Sequence, residues 1–301
     1  MKAQTTICKI CRRSFVPKKW VVDKFIYCPF CHTAWPKRLE KEGYTQNYYQ
    51  AKSGLMSKFF YPLWKLFYLR RNLYIKRPKI EKWIDVGAGD GDYLTFVKSK
   101  VKIGVEISLS GRKIMTQKGI CSMSDKEFVT SQNLNADVIS FWHVLEHTKN
   151  PGKYLSVAKK NLKKNGQIIV GLPNIDSFEF YLTRNSWFHI QPGYHEYLFS
   201  EKTIQTLLGQ FNYKIIKTDY WSIEHHPTGI LQSMFSFSGG SLNLLHKLIK
   251  REMRKNSVSV KDFFLIVFWT TFGLPLMLLL WIVQSLLHKS GTIVVFASLK
   301  R

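Results

Sequence analysis

Acidic residues are scarce in this chain. Its 301 residues hold 20 Asp and Glu against 45 Lys and Arg, a net charge of +25. Such an imbalance points to a polyanionic neighbour, either nucleic acid or an anionic lipid surface. Cysteine is also sparse. Five cysteines, four of them in two Cys-x-x-Cys pairs, are too few and too clustered for a disulfide framework, and a reducing cytosol is expected. No internal repeat or low-complexity tract is found, which excludes a solenoid. Residues 1–20 are charged and lack an apolar core, so no cleavable secretory signal is expected. With 45% hydrophobic residues, wholesale disorder is excluded, and the length suits one large α/β domain with small appendages.

The charge is uneven. Residues 1–82 carry 19 Lys and Arg against Asp23, Glu40, Glu42 and Glu81, a net of +15. Five segments follow from composition. Residues 1–40 carry the cysteine pairs and read as a zinc ribbon. Residues 41–79 form a basic, aromatic segment expected to be helical. Residues 80–224 alternate β-like and helical runs. Residues 225–290 hold a long apolar block, and 291–301 a last β-like run.

The β-like runs are Lys82–Val86, Lys102–Ile107, Asp137–Trp142, Gln167–Leu172 and Tyr213–Tyr220. Helical stretches lie between them, such as Tyr93–Lys98 and Gly152–Lys164, the latter expected to end at Asn165-Gly166. Short apolar strands separated by helices predict a parallel sheet covered on both faces. After Asp85 at the end of the first run come Gly87, Ala88, Gly89 and Gly91. Glycine lets a backbone turn sharply and approach a ligand closely. The pattern G-x-G-x-G differs from the dinucleotide fingerprint, which must cradle a diphosphate. Glu106 closes the second run, where an acid accepts hydrogen bonds from ribose hydroxyls. An adenosyl cofactor without a diphosphate fits this arrangement.

These segments, with Asp137 to His147, Asn150-Pro151 and Gly166 to Asn174, resemble class I S-adenosylmethionine-dependent methyltransferases over residues 80–224. The group of ubiquinone-biosynthesis O-methyltransferases is the most similar. The resemblance implies a Rossmann-like seven-stranded sheet, with Gly87, Gly89 and Gly91 around the methionine moiety and Glu106 on the ribose. Asp125 is the nearest match to the adenine-binding acid. His143, Glu146, His147 and His195 are the candidate catalytic residues, and His143 also borders the cofactor. In the resembling enzymes the segment at 143–147 reads Glu-x-x-Glu-His and is similar to a divalent-metal site. Here His143 replaces the first Glu, so a divalent metal near His143–His147 stays open. The alternative is that Glu146 and His147 only cap the next helix and shape the pocket. His195 lies in a Pro-x-x-His-x-x-x-Phe-Ser pattern similar to an acceptor-side segment, with Ser200 a helix N-cap.

Cys8-x-x-Cys11 and Cys28-x-x-Cys31 have the spacing of two knuckles closing a four-thiolate zinc site. Four ligands leave no open position, so this Zn2+ would be structural. His32 is not expected to compete, His225-His226 is not expected to ligate, and Cys121 is read as a packing residue.

Phe263 through Leu287 has no charged residue. As one helix it would span about 37 Å, enough for a bilayer. The last run, Gly291–Leu299, is expected to return to the sheet beside Tyr213–Tyr220, which forbids a single crossing. Gly273 and Pro275 divide the block into arms of about 16 Å, too short to cross. A re-entrant helical hairpin at 263–287 is therefore expected between the last two strands. Its basic flanks place it at the cytoplasmic face of the cell membrane. Residues 241–251 suggest an interfacial amphipathic helix. The segment after Tyr220 resembles a bacterial membrane-associated methyltransferase subgroup, which implies O-methylation of a lipid, polyprenyl-linked or cell-envelope glycan acceptor. An RNA methyltransferase using the ribbon and basic surface is the second reading, disfavoured by the uncharged block. A non-enzymatic membrane scaffold is the third.

Overall fold

A computed structural model describes residues 5–38, 66, 68–72, 75, 79–190, 194–222, 226–242, 244–245 and 258–300. The basic-aromatic segment at 41–79 falls mostly outside these residues, as do His225 and most of 241–251. The chain divides into two compact units. One comprises residues 1–42, 173–204 and 219–293, and the other 43–172, 205–218 and 294–301.

In the first unit two small hairpins come first: β1 (Thr6–Ile7) with β2 (Ser14–Phe15), and β3 (Phe25–Tyr27) with β4 (Ala34–Pro36). The sheet follows, with β5 (Lys82–Val86), α1 (Asp92–Phe96), β6 (Val101–Val105), α2 (Leu109–Gln117), β7 (Cys121–Met123) and α3 (Asp125–Thr130). Next are β8 (Ala136–Trp142), α4 (Pro151–Asn161), β9 (Leu162–Pro173), α5 (Phe178–Thr183), α6 (Glu201–Gln210) and β10 (Tyr213–Asp219). The chain continues through α7 (His226–Phe237), α8 (Val260–Phe268) and α9 (Leu274–Leu286) to β11 (Thr292–Leu299).

The seven strands run in the order β10-β11-β9-β8-β5-β6-β7. From β9 to β7 every neighbouring pair is parallel. Parallel strands require crossover helices on the faces, so the central strands must be apolar on both sides. All seven residues of β8 are buried accordingly. The core of the second unit gathers Trp83, Leu94, Met115, Val138, Ile169 and Phe296. As expected, the last strand returns to the sheet, lying between β10 and β9.

Two local expectations need correction. α4 ends at Asn161, and Asn165-Gly166 lies within β9. The chain bulges there, because Ala136 pairs with Leu162 while Val138 pairs with Gln167. Gly166 is needed at the bulge, where a Cβ would sit 2.7 Å from Leu162 Cδ2 and 3.0 Å from the Lys163 carbonyl. Cys121 is exposed on the edge strand β7 rather than packed. Three residues with little burial give no periodicity to read.

The cysteine module does not pack by itself. Val22, Phe25 and Ala34 share a core with Ile175, Phe180, Trp187 and Leu198 of the same unit. Ala34 and Leu198 exchange backbone hydrogen bonds at 3.0 and 2.7 Å. Ser200 and Thr203 both donate to the Cys31 carbonyl. Some forty residues have too little apolar surface for an independent core, and this borrowing supplies it.

Among the described residues no single helix is long and apolar enough to cross a membrane. The stretches Val260–Gly273 and Pro275–Leu286 pass that test together, with a 59° bend between them. The break falls at Gly273-Leu274-Pro275 as expected, but the arms do not fold back as an antiparallel hairpin. A π-turn over Trp269–Gly273 absorbs the change of direction, and Pro275 opens the second helix, where its missing amide costs nothing. Trp269 and Met277 pack on Ile230 and Phe235 of α7. Asp262 anchors the start of α8. Burial raises its pKa, but hydrogen bonds from Ser241 and Ser259 outweigh that and hold it low.

Candidate active site

The site is built where the parallel strands end. β5 stops at Val86, and the backbone enters positive φ at Gly87 (75°), Gly89 (62°) and Gly91 (77°). A side chain is strained in that region, so the alternation of glycines is conformational as well as steric. The Gly87 and Ala88 amides donate to the Val105 carbonyl at 2.8 and 3.0 Å, which folds the loop over the end of β6. A Cβ on Gly87 would lie 2.3 Å from Val144 Cγ2. The loop thus packs directly on the segment that follows β8.

Glu106 is drawn into the same structure. Its Oε2 accepts from the Gly89 amide at 3.0 Å and its Oε1 from the Ser108 amide at 2.9 Å. Each carboxylate oxygen has two lone pairs, so one on each stays available to a vicinal diol. The sequence reading missed Gly111. A Cβ there would meet the Gly89 carbonyl at 2.6 Å and Glu106 Cγ at 3.0 Å. Its absence lets α2 press against the loop. The only signal was a glycine one turn after the Ser108 N-cap, a place where glycine otherwise weakens a helix.

Asp85 bonds across to the neighbouring strand β8. Its Oδ1 accepts from Ser140 Oγ at 2.6 Å, and Ser140 Oγ accepts from Trp83 Nε1 at 2.8 Å. This chain of bonds locks the ends of β5 and β8 in register. Asp125 follows β7 at the carboxyl edge of the sheet, behind the Ser124 capping box. Its carboxylate receives the Tyr154 hydroxyl at 2.6 Å.

His143 leaves β8 with φ 55°, its amide bonded to the Gly171 carbonyl. A non-glycine residue held there stores strain of about 1–3 kcal/mol, which is common at functional sites. The turn Leu145–His147 then brings Glu146 Oε1 to 3.3 Å from His143 Nδ1. Glu146 is fully buried and neither oxygen has an aligned hydrogen bond. Burial pushes its pKa up to about 7 against the opposing charge of His147. His143 and Glu146 thus form a proton-accepting couple, and one beside the glycine loop through Val144. A carboxylate and an imidazole this close are also donor types that suit a divalent ion.

His195 belongs to the other unit. It is buried, with Nδ1 2.7 Å from the His189 carbonyl. This contact fixes the tautomer with a proton on Nδ1 and leaves Nε2 as the basic nitrogen. Ser200 caps α6 as expected, accepting from the Thr203 amide at 3.0 Å. The sequence reading also missed Glu179 in this unit. It is buried, accepts from Ser233 Oγ at 2.7 Å, and burial raises its pKa to about 7.

The four cysteine sulfurs all lie within 4.8 Å of one another. Cys8 and Cys31 approach to 3.6 Å, and Cys11 and Cys28 to 3.7 Å. A tetrahedron with metal–sulfur bonds of 2.3 Å has edges of about 3.8 Å, so the spacing fits zinc. Both knuckles use one geometry, with positive φ at Arg12 (64°) and His32 (60°), each directly after the second cysteine of its pair. The Ile10 and Cys11 amides point at Cys8 Sγ. Hydrogen bonding from Cys31, together with these amides, lowers the Cys8 pKa to about 5. His32 turns away to Asp176 at 3.2 Å.

The methyltransferase-domain family matches residues 57–218 of this chain. Over 97 residues the chain is 36% identical to the uncharacterized protein MJ1123 of Methanocaldococcus jannaschii. That match takes in 32% of this chain and 46% of MJ1123, so the chain spans less than half the length of this curated relative. Among solved structures, the complex between the Haloferax volcanii Trm112 methyltransferase activator and a methyltransferase is similar over 86% of this chain and 100% of the matched chain. The TM-score is 0.55 and the identity 9%, a likeness of fold. A SAM-dependent methyltransferase from Archaeoglobus fulgidus matches 81% of this chain and 98% of its own, with TM-score 0.48 and 18% identity. The family match covers more than half of the chain and includes the glycine loop, Glu106 and the His143–His147 segment. The chain belongs to the methyltransferase-domain family.

Proposed function

We propose that this enzyme methylates a hydroxyl of a lipid, polyprenyl-linked or cell-envelope glycan acceptor at the cytoplasmic face of the cell membrane. The observation that carries this reading is the apolar surface of α8 and α9. Phe264 is 66% exposed and Phe272 69%, with Phe263, Phe268, Leu279 and Leu286 also more than half exposed. A soluble surface rarely leaves so many large apolar side chains together in water. Lys261 and Lys289 flank the pair, and the net charge of +25 suits an anionic lipid surface. The bent pair enters the bilayer shallowly, and both its ends stay on one face.

S-adenosylmethionine supplies a methyl group already activated on a sulfonium. The chain's own task is to bind, align and take a proton. Gly87–Gly91 seats the methionine portion, Glu106 takes the ribose hydroxyls, and Asp125 lies toward the adenine. His143 and Glu146 receive the acceptor hydroxyl's proton as the carbon–sulfur bond breaks and the carbon–oxygen bond forms. His195 serves on the acceptor side. The same His143–Glu146 donor set is the place for a divalent ion, and activity that falls with a chelator and returns with Mg2+ would support it. The four thiolates hold a structural zinc.

Incubating purified protein and membranes with methyl-labelled cofactor tests the reading. Label in the lipid or lipid-linked glycan fraction is expected. Label in RNA would favour nucleic acid as the acceptor, and no transfer to any fraction would leave only a membrane scaffold.

A further inference from the structure

A cavity lies wholly within the unit that carries the cysteines and the bent helix pair. Its volume is about 400 Å³, and its walls include Trp20, Tyr27, Phe178, Tyr181, Arg184 and Lys289. We infer that this cavity binds the phosphate head of an anionic lipid. The inference rests on the membrane reading above for its occupant, but on separate residues for its chemistry.

Two cations face the cavity. Among the described residues neither Arg184 nor Lys289 makes an ion pair. The guanidinium of Arg184 lies 4.5 Å over the Tyr181 ring and 5.7 Å from that of Phe180. A guanidinium beside aromatic rings and outside any ion pair keeps N–H donors for bidentate contact with phosphate. Arg184 is held with φ 47°, a conformation that disfavours every residue with a Cβ. A function that needs the guanidinium there accounts for the residue. Lys289 is fixed to the wall by its carbonyl, which accepts from the Phe178 amide at 2.8 Å. One acid, Asp176, also lines the cavity, but His32 Nδ1 lies 3.2 Å from it.

The walls favour a lipid over a free phosphate. Trp20 stacks on Tyr27 at 5.1 Å and on Phe180 at 5.5 Å, a rigid aromatic wall. Leu286 and Leu287 precede Lys289 and are 64% and 62% exposed. Tryptophan and tyrosine beside lysine and arginine, next to exposed leucines, is the composition of a membrane interface. A phosphate held by Arg184 and Lys289 leaves the acyl chains to run along α9.

Titration of the whole protein with monomeric dihexanoylphosphatidylglycerol tests this, with inorganic phosphate as the second ligand and R184Q/K289Q as the variant. Binding by the wild type, at least tenfold weaker in the variant and at least tenfold weaker for inorganic phosphate, is expected. Arg184→Lys should restore part of the loss, and matching melting curves show that the variants fold. Equal binding by R184Q/K289Q, or inorganic phosphate bound as well as the lipid, would overturn the inference. Flotation of the wild type on phosphatidylglycerol vesicles separates the two claims. A protein that binds the short lipid but does not float refutes the membrane reading alone. One that floats, while R184Q/K289Q binds the short lipid unchanged, refutes the cavity alone.

Discussion

The Gly89 amide donates to Glu106 Oε2 at 3.0 Å, so the turn after β5 and the acid after β6 form one structure. Either residue alone is a weak signal. Their bond fixes the loop before any cofactor arrives, and a preorganised site spends less binding energy on ordering. Glu106→Gln should keep the shape but lose the charge. Hydrogen bonds to a charged group contribute about 1.5–3 kcal/mol, so the dissociation constant for S-adenosylmethionine should rise about ten- to a hundredfold by calorimetry.

Gly111 makes a sharper test of the loop's geometry. Gly111→Ala places a Cβ 2.6 Å from a backbone carbonyl that has no room to retreat. Overpacking of this kind costs about 1–3 kcal/mol. Cofactor affinity should fall although no cofactor contact is removed, and a melting curve should show the accompanying loss of stability. An unchanged affinity would mean that α2 does not support the loop.

The buried carboxylates set a pH dependence. Glu146 and Glu179 are both raised to about 7 by burial, above their ordinary value of 4.5. The folded state then binds more protons than the unfolded state between about pH 4.5 and 7. Their contribution to stability is present below pH 4.5 and is lost as pH rises through 7. Glu146→Gln should flatten part of that fall and raise the melting temperature at pH 8, while methyl transfer drops. Denaturant titrations from pH 4 to 8 give the first result and turnover the second.

The cysteine cluster should behave as a fold element of its unit. Cys28→Ser should release zinc and destabilise the packing of Ala34 on Leu198 and of Phe25 on Trp187. Loss of a metal is among the few changes that can cost more than about 4 kcal/mol. Zinc content by metal analysis, and near-ultraviolet dichroism of the shared aromatic core, should fall together. Retained dichroism without zinc would make the metal dispensable.

Much of the sheet was legible because its strands are apolar on both faces and short. Lys82–Val86 was bounded correctly, since a lysine opens the strand and the glycine loop ends it. The return of Thr292–Leu299 was legible too, from a β-branched run after the apolar block. β7 was invisible because its three residues are largely exposed. Asn165-Gly166 was misread because a bulge and a helix terminus use the same residues. The glycine loop and cysteine knuckles were legible because their function fixes both residue type and spacing. Gly111, Ser140 and Glu179 were not. Each matters through a contact made across the fold, between Gly111 and Gly89, Ser140 and Asp85, and Glu179 and Ser233.

Cofactor binding by the intact protein tests the central claim most directly. Calorimetry with S-adenosylmethionine should give one site of micromolar affinity, abolished by Gly87→Val, whose side chain would collide with Val144. No heat of binding at millimolar cofactor, or a Gly87→Val protein that binds as the wild type does, would contradict the account.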